Sequence, residues 1–163
     1  KPTIARIGGV AVGGGCVIAI ACDLRICGPD ARFGVPVART LGNCLSAANC
    51  ARLLDLVGPA RLKDIMFTAR LLDAQEALAA GLATRVVDAE ALDRVVRETA
   101  RTIAANAPLT ISATKELVRR LQAHRRIAPS LGHDLITACY TSHDFRSGVD
   151  AFLAKRPPVW TGR

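Results

Sequence analysis

The segment AVGGGCVIAIACD, residues 11–23, places three consecutive glycines directly before a short and almost wholly apolar run. Glycine lets a backbone turn tightly, and it lets another group approach the backbone closely. The apolar run, residues 16–22, is typical of a buried helix or strand, and the glycines before it favour a helix. The first amides of such a helix have no partner within the helix.

Two interpretations of the glycines remain open at this point. Bare amides at a helix start carry partial positive charge and can stabilise a carbonyl oxygen that becomes an oxyanion. Alternatively, the glycines only allow the helix to pack against a neighbouring strand. A dinucleotide fingerprint is not supported, because no further glycine falls three residues after Gly15, and the Gly-Lys-Ser/Thr of a phosphate loop is absent.

Along the rest of the chain, strands and helices alternate in the first half, and helices dominate from Asp88 onward. We predict strands over residues 3–7, 23–27 and 83–87, with a short extended piece over 32–35. We predict a helix over 46–57 with Ser46 as cap, a second over 59–67 after the stop at Gly58, and a third from the capping box Asp73–Glu76 to Gly81. Further helices are predicted over 88–105, with Asp88 as cap, and over 108–124. Two more are predicted within 130–154. The architecture is therefore α/β with a helical C-terminal extension.

Composition limits the class of protein. The chain has 163 residues, half of them hydrophobic, which is enough for one domain with a real core. None of its six cysteines forms a Cys-x-x-Cys pair, so we expect reduced core thiols in a cytoplasmic protein and no metal site. No apolar window is long enough for a membrane span, so we expect no membrane partner.

The net charge of +8 suits an anionic ligand. Binding to nucleic acid is not expected, because the six aromatic residues are scattered and offer no stacking surface. The densest basic run, residues 115–126, is typical of one solvated helix face.

Four separated blocks resemble the crotonase superfamily of enoyl-CoA hydratases and isomerases. They occur in the order of that family, at residues 1–26, 31–36 (ARFGVP), 56–87 and 147–163 (SGVDAFLAKRPPVWTGR). The resemblance implies a crotonase-like fold with a ββα superhelix core. It divides the chain into a partial core over residues 1–100 and a helical oligomerisation region over 101–163. It also implies that the family's N-terminal third, which holds the CoA-adenine pocket and one of two oxyanion-hole amides, is missing here.

The same resemblance implies the roles of individual residues. The catalytic group is the Gly14 amide, which lies at the family's oxyanion-hole position and faces the thioester oxygen of an acyl-CoA. The same resemblance implies that Gly13, Val17, Val37, Phe152 and Lys155 line the substrate site. Arg39 and Asn43 are further candidates for this lining, from a loop that differs from the family. No cofactor is implied beyond the coenzyme A of the substrate itself.

Two positions depart from the family. Its hydratases carry one glutamate directly after GGGC and another after the proline of FGxP, and this chain has Val17 and Val37 there. Valine cannot transfer a proton, so ordinary hydration is not expected. Two functions therefore stay open: an enzyme that stabilises a thioester enolate, and a catalytically inactive subunit that binds acyl-CoA.

The segment ARTLGNCLSAAN, residues 38–49, also differs from the family and is where a replacement group would be sought. Arg39 is either a loop ion-pair partner or a contact to an acidic acyl group. Asn43 is either a turn residue or a substrate hydrogen-bonder. Cys44 is either a small buried residue or a thiol whose pKa is lowered by the helix start that follows.

Outside that segment, Asp23 is interpreted as a structural cap or strand-edge partner. Lys155 is either a phosphate contact or a cation at a helix C-terminus. By resemblance we also expect a homotrimer or hexamer, built through the C-terminal helices, and a place in fatty acid metabolism.

Overall fold

The computed structural model describes residues 1–124 and 128–163. In chain order the elements are β1 (Ile4–Ile7), β2 (Val10–Val12), α1 (Gly14–Ala21), β3 (Leu24–Cys27), β4 (Arg32–Gly34), α2 (Val37–Thr40), α3 (Ala47–Thr68), α4 (Ala74–Ala79), β5 (Arg85–Val86), α5 (Leu92–Ala105), α6 (Pro108–His124), α7 (His133–Thr141) and α8 (His143–Leu153). Short 3₁₀ turns lie at Ala89–Ala91 and Pro129–Gly132. The predicted mixture of strands and helices with a helical C-terminal part is confirmed.

The described residues form two compact units, each described here by itself. The first contains residues 1–33 and 72–124, and the second contains residues 34–71 and 128–163. The proposed boundary at residue 100 between a core and an oligomerisation region concerns assembly, so it stays a prediction. The last two residues of the basic run, Arg125 and Arg126, lie outside the described residues.

The first unit is built on a parallel sheet with the strand order β1-β3-β5. The middle strand, β3, aligns Ile26 with Arg85 of β5. Its apolar residues pack into a core with Phe33, Leu72 and Leu82, all of which are almost completely buried. A parallel sheet buried in this way explains why β3 reads as a nearly continuous apolar run.

The second unit is helical, and its longest helix is interrupted where the sequence predicts it. Gly58 has φ 74° and ψ 169°, outside the helical region, and Pro59 opens the next stretch. The helix begins at Ser46, whose hydroxyl accepts a bond of 3.4 Å from the Asn49 amide. Leu53 and Ile65, one on each side of the break, are buried.

One predicted cap is confirmed and another is wrong. The Asp73 carboxylate accepts from the Glu76 amide at 2.8 Å, and the Glu76 carboxylate accepts from the Asp73 amide at 3.0 Å. Asp88, in contrast, makes no side-chain cap. The chain after it first forms a 3₁₀ turn, in which the Ala91 amide donates to the Asp88 carbonyl at 3.0 Å, and α5 begins only at Leu92. In this tighter turn the backbone carbonyl of Asp88, and not its carboxylate, accepts the bond from the Ala91 amide.

No helix within residues 1–124 and 128–163 combines the length and apolarity that a membrane span needs.

Candidate functional site

The three glycines form the start of α1 in the first unit. Gly13 is the N-cap, with φ 58° and ψ −120°, a conformation that favours glycine. The first bond of the helix runs from the Val17 amide to the Gly13 carbonyl at 3.1 Å. The amides of Gly14 and Gly15 precede that bond, so helix geometry gives them no acceptor within α1. Both glycines are exposed.

The surroundings of these glycines test the packing interpretation. A Cβ atom placed on Gly13, Gly14 or Gly15 would meet nothing within 4 Å in the described chain. Packing against a neighbouring strand therefore does not require glycine here, as far as residues 1–124 and 128–163 are concerned. The interpretation of an open helix start is favoured, and the donor role of Gly14 stays a prediction.

Val17 lies on the first turn of α1 and is half-buried. Behind it the helix buries Cys16, Ala19 and Ile20 against the core. The first turn of α1 contains no acidic residue. This part of the site thus offers an amide donor and an apolar wall, and no side chain that transfers protons.

Val37 and Arg39 lie on α2 in the second unit, a one-turn helix at a place where the sequence analysis predicted neither helix nor strand. Pro36 is its N-cap, and the amides of Leu41 and Gly42 both donate to the Val37 carbonyl, at 2.9 and 2.8 Å. Val37 is half-buried and Arg39 is exposed. The role of Arg39 as an ion-pair partner or an acyl contact stays open.

Asn43 follows α2 and is tied to α7. Its side-chain amide donates to the Tyr140 hydroxyl at 3.0 Å. Its side-chain oxygen is buried and has no hydrogen-bond partner among the described residues. A buried acceptor without a partner is rare in folded proteins. This oxygen is therefore a buried side-chain acceptor of the predicted set that is left for a further donor.

Cys44 is not a low-pKa thiol. Burial raises its pKa to about 11, and the neighbouring thiols of Cys139 and Cys50 add to the increase. The hypothesis of a thiolate stabilised by the following helix start is therefore wrong. Desolvation and the sulfur neighbours outweigh the dipole of α3. No metal-binding group of three or more His, Cys, Asp or Glu residues occurs in the described part of the chain.

Phe152 and Lys155 lie at the C-terminal end of α8, in the same unit as Val37, and α8 packs against α2. Phe152 is 61% exposed. The amides of Lys155 and Arg156 donate to the carbonyls of Phe152 and Ala151, at 3.2 and 3.0 Å. This is a Schellman cap, with Lys155 at φ 53° in the position that usually holds glycine. Both interpretations of Lys155 fit this place.

Asp23 has the structural role expected from the sequence. Its carboxylate accepts from the Thr3 amide at 2.6 Å and from the Lys115 ammonium at 2.6 Å. Partial burial would raise the pKa of Asp23, but the bonds from Lys115 and Thr3 outweigh it and hold the pKa below its usual value. The carboxylate thus joins β1, α6 and the start of β3.

Two residues that matter to this geometry were missed by the sequence analysis. Arg25 is a buried charged residue in the centre of the first unit, and Tyr140 is the partner of Asn43. The arginine in the otherwise apolar strand LRIC, residues 24–27, was a signal, because a charged residue inside a central strand needs compensating partners. Tyr140 lies 97 residues from Asn43, and no local pattern indicates that pairing.

The chain belongs to the enoyl-CoA hydratase/isomerase family, because the sequence model of that family matches residues 1–163. It therefore belongs to the crotonase superfamily. It is 36% identical over 157 residues to the short-chain-enoyl-CoA hydratase of Clostridium acetobutylicum, an alignment that covers 96% of this chain and 60% of that protein. It is 38% identical to the carnitinyl-CoA dehydratase of Citrobacter koseri, over 100% of this chain and 64% of that protein.

Among solved structures, the fold is similar to a methylmalonyl-CoA decarboxylase in complex with 2-nitronate-propionyl-CoA. The TM-score is 0.93 at 30% identity, covering 100% of this chain and 64% of that one. The crotonase fold expected from the sequence is thereby confirmed. The chain spans 60% to 64% of the length of the curated relatives named above.

Proposed function

We propose that this chain belongs to an enzyme that processes acyl-CoA thioesters, with the Gly14 amide as a donor to the thioester oxygen. The observation that carries this proposal is the open start of α1, where a Cβ on any of the three glycines would meet nothing within 4 Å in the described chain. A donor of this kind contributes about 3–4 kcal/mol to stabilising a transition state. Family membership supports the substrate class.

Val17 and Val37 limit the reactions that this enzyme can catalyse. Hydration of an enoyl-CoA requires proton transfer to carbon and from water, and each general acid or base contributes about 10²- to 10⁴-fold. Val17 and Val37 are both half-buried and offer no titratable atom. We therefore propose that the principal reaction is not hydration, and that it forms an enolate without a side-chain base at these two positions.

Loss of CO₂ from a 2-carboxyacyl-CoA is the reaction that best fits these side chains. The bond between Cα and the carboxylate carbon breaks, its electron pair forms the thioester enolate, and CO₂ leaves. Water then protonates Cα, and the hydroxide that remains combines with the released CO₂ as bicarbonate. No base is needed, and an apolar side chain beside the carboxylate, such as Val17 on the same helix as Gly14, favours its loss by desolvation. The structural similarity to a methylmalonyl-CoA decarboxylase supports this choice.

The second candidate is a catalytically inactive subunit that binds acyl-CoA. The same two valines favour it, because they remove the proton-transferring groups and leave an amide that can still hold a thioester oxygen. The two candidates differ in whether the bound thioester changes.

The test uses the longest chain that the gene encodes, incubated in heavy water with a panel of enoyl-, acyl- and 2-carboxyacyl-CoAs. Mass spectrometry follows the products. Loss of CO₂ with one deuterium gained at Cα is the expected result. Addition of heavy water across a double bond would contradict the role given to Val17 and Val37.

Two other results separate the remaining possibilities. Deuterium uptake without CO₂ loss or hydration would keep the enolate and replace decarboxylation by isomerase-type chemistry. An unchanged panel, combined with measurable binding of the same thioesters, would favour the inactive subunit.

We further propose a homotrimer or hexamer in the cytoplasm that acts in fatty acid metabolism and uses no cofactor beyond the CoA of its substrate. The exposed apolar residues of α6, such as Leu117 at 59% and Leu121 at 65%, support a face that is covered in an assembly. Light scattering on the full-length protein measures the oligomeric state, and a monomer would contradict this proposal.

A further inference from the structure

Arg25 is a charged side chain without a charged partner in the hydrogen bonds that it makes. It is 5% exposed, and no other charged residue in the described part of the chain is equally buried. Burial lowers the pKa of its guanidinium, while Cys22 and Asp23 nearby oppose that change. Placing a guanidinium in a core is costly unless its donors are satisfied.

The acceptors of Arg25 are backbone carbonyls. Its Nε donates to the Leu82 carbonyl at 2.6 Å, and its Nη1 donates to the Cys22 carbonyl at 2.6 Å. Longer contacts run from Nη1 to the Ala19 carbonyl at 3.4 Å and from Nη2 to the Asp23 carbonyl at 3.5 Å. One planar group thus collects carbonyls from two separate stretches of the chain.

Two of these carbonyls belong to the end of α1. Ala19 lies in its last turn, and Cys22 is its C-cap. The C-terminus of a helix carries partial negative charge and unsatisfied carbonyls, which a cation complements. Arg25 therefore caps, from the following strand, the helix that presents the glycines at its other end.

Apart from the three side chains that it buries, Cys16, Ala19 and Ile20, α1 has few other means of holding its direction. It has eight residues, its N-cap makes no side-chain bond, and its last turn contains no basic residue. Helices this short do not persist without tertiary contacts. The glycines at its start do not anchor it, because no atom lies within 4 Å of the Cβ position at any of them in the described chain.

The backbone of Arg25, in contrast, is firmly fixed. Its amide donates to the Thr84 hydroxyl at 3.0 Å, and its carbonyl accepts from the Thr84 amide at 2.8 Å. It lies on β3, the middle strand of the parallel sheet. The side chain therefore connects a rigid strand to the C-terminal end of a short helix.

We propose that Arg25 is a positioning residue that fixes the axis of α1 and thereby the direction of the Gly14 amide. The proposal rests on the function proposed for Gly14. Misplacement of a reacting group by about 1 Å can cost about 10²-fold in rate, so a small tilt of α1 has a measurable effect.

The test compares wild type with Arg25→Lys in the full-length protein. Lysine keeps the charge but cannot reach the separated carbonyls with a planar fork. The control is Arg6→Met, which removes an exposed ion pair with Asp93 of 2.8 Å in the same unit and leaves α1 untouched. The probe is acetyl-CoA labelled with ¹³C at its thioester carbonyl, whose infrared frequency falls when a donor polarises it.

We expect Arg25→Lys to reduce the shift in the infrared frequency of the thioester carbonyl. For the proposed decarboxylation of a 2-carboxyacyl-CoA, it should lower kcat about 10- to 100-fold with little change in KM. Hydrogen exchange of the α1 amides from Val17 to Cys22 should become faster. Arg6→Met should match wild type in all three measurements. A folded Arg25→Lys protein with the wild-type shift, turnover and exchange would overturn the proposal.

Failure of the Gly14 function gives a different result. In that case wild type itself shows no carbonyl shift, and the catalytic part of the Arg25 proposal falls with it. Hydrogen exchange of the α1 amides still tests whether Arg25 holds the helix. Equal exchange rates in wild type and Arg25→Lys would show that it does not.

Discussion

The glycines at the start of α1 and two glycines of the helical unit, Gly42 and Gly148, occupy opposite environments. At Gly14 and Gly15, an added Cβ would meet nothing within 4 Å in the described chain. At Gly148 of α8, an added Cβ would lie 2.7 Å from the Leu41 carbonyl oxygen, and at Gly42 it would lie 3.0 Å from the Trp160 ring.

The difference separates two reasons for placing glycine in a chain. Gly148 leaves room for a backbone that is already there, so its role is packing. Gly14 and Gly15 leave room that the described chain does not fill, which is the arrangement expected where a ligand approaches. Stability and activity should therefore respond in opposite ways to substitutions in the two places.

The largest effect is expected for Gly14→Pro. Proline is tolerated at the first position of a helix, where its missing N–H has no partner in the helix. We expect turnover to fall about 10²- to 10³-fold, as for loss of one oxyanion donor, with an unchanged Tm. Gly14→Ala keeps the N–H and is the matched control. Equal turnover in the proline and alanine variants would contradict the donor role.

Gly148→Ala should do the reverse. The added methyl group would press on the backbone of Leu41, and overpacking of this kind costs about 1–3 kcal/mol. We expect Tm to fall by several degrees, measured by calorimetry. Gly15→Ala introduces the same methyl group into open space within α1 and should raise stability by about 0.5–1 kcal/mol. A loss of stability in Gly15→Ala would break the comparison.

Lys155 sharpens the comparison, because it is a non-glycine residue at φ 53°. Replacement by glycine should relieve the left-handed strain and raise stability by about 0.5–1 kcal/mol. If the ammonium binds a CoA phosphate, the Kd for CoA should also rise about two- to fivefold, as for a surface ion pair.

The control for this experiment is Ala69→Gly, since Ala69 has φ 52° at the end of α3. Ala69 is 2% exposed, so the loss of its buried methyl group offsets the relief of strain, and we expect little net change in stability and no change in CoA affinity. Unchanged CoA affinity in Lys155→Gly, measured by calorimetry, would leave Lys155 as a helix-terminal cation only.

The smallest effect is expected for the dependence of stability on pH at low pH. Bonds from the side chain and amide of Thr161, and from the amide of Gly162, hold the pKa of Asp144 below its ordinary value. A carboxylate with a lowered folded pKa contributes stability above its unfolded pKa of about 3.9, and this contribution is lost as pH falls through the folded value. Asp144→Asn should therefore be less stable than wild type at pH 7 and approach it near pH 2. An equal difference at both values would contradict this account.

Much of the fold was legible in the sequence because its signals are local. The break at Gly58–Pro59, the capping box at Asp73 and the helix after the glycines each depend on residues within one or two turns. The resemblance to the crotonase family was equally legible, since it rests on four blocks of consecutive residues. Asp88 failed as a cap, because the choice between a 3₁₀ turn and an α-helix there depends on a few backbone angles.

The features that escaped the sequence are long-range. The bond between Asn43 and Tyr140 joins residues 97 positions apart, and that between Arg25 and Leu82 joins residues 57 apart. The choice between the two interpretations of Cys44 stayed open at the sequence for the same reason, since burial and the sulfur of Cys139 come from the tertiary fold. Helix propensity and turn chemistry contain no information on such pairs.

The raised pKa of Cys44 makes its thiol an intrinsic chemical probe of opening in the helical unit. With a pKa of about 11, its thiol is almost wholly protonated at neutral pH and alkylates slowly while the fold is intact. Once α7 separates from the segment that carries Cys44, the thiol returns to ordinary reactivity. An increase in the rate of alkylation at this cysteine, followed by mass spectrometry, therefore reports opening of the unit without any engineered label.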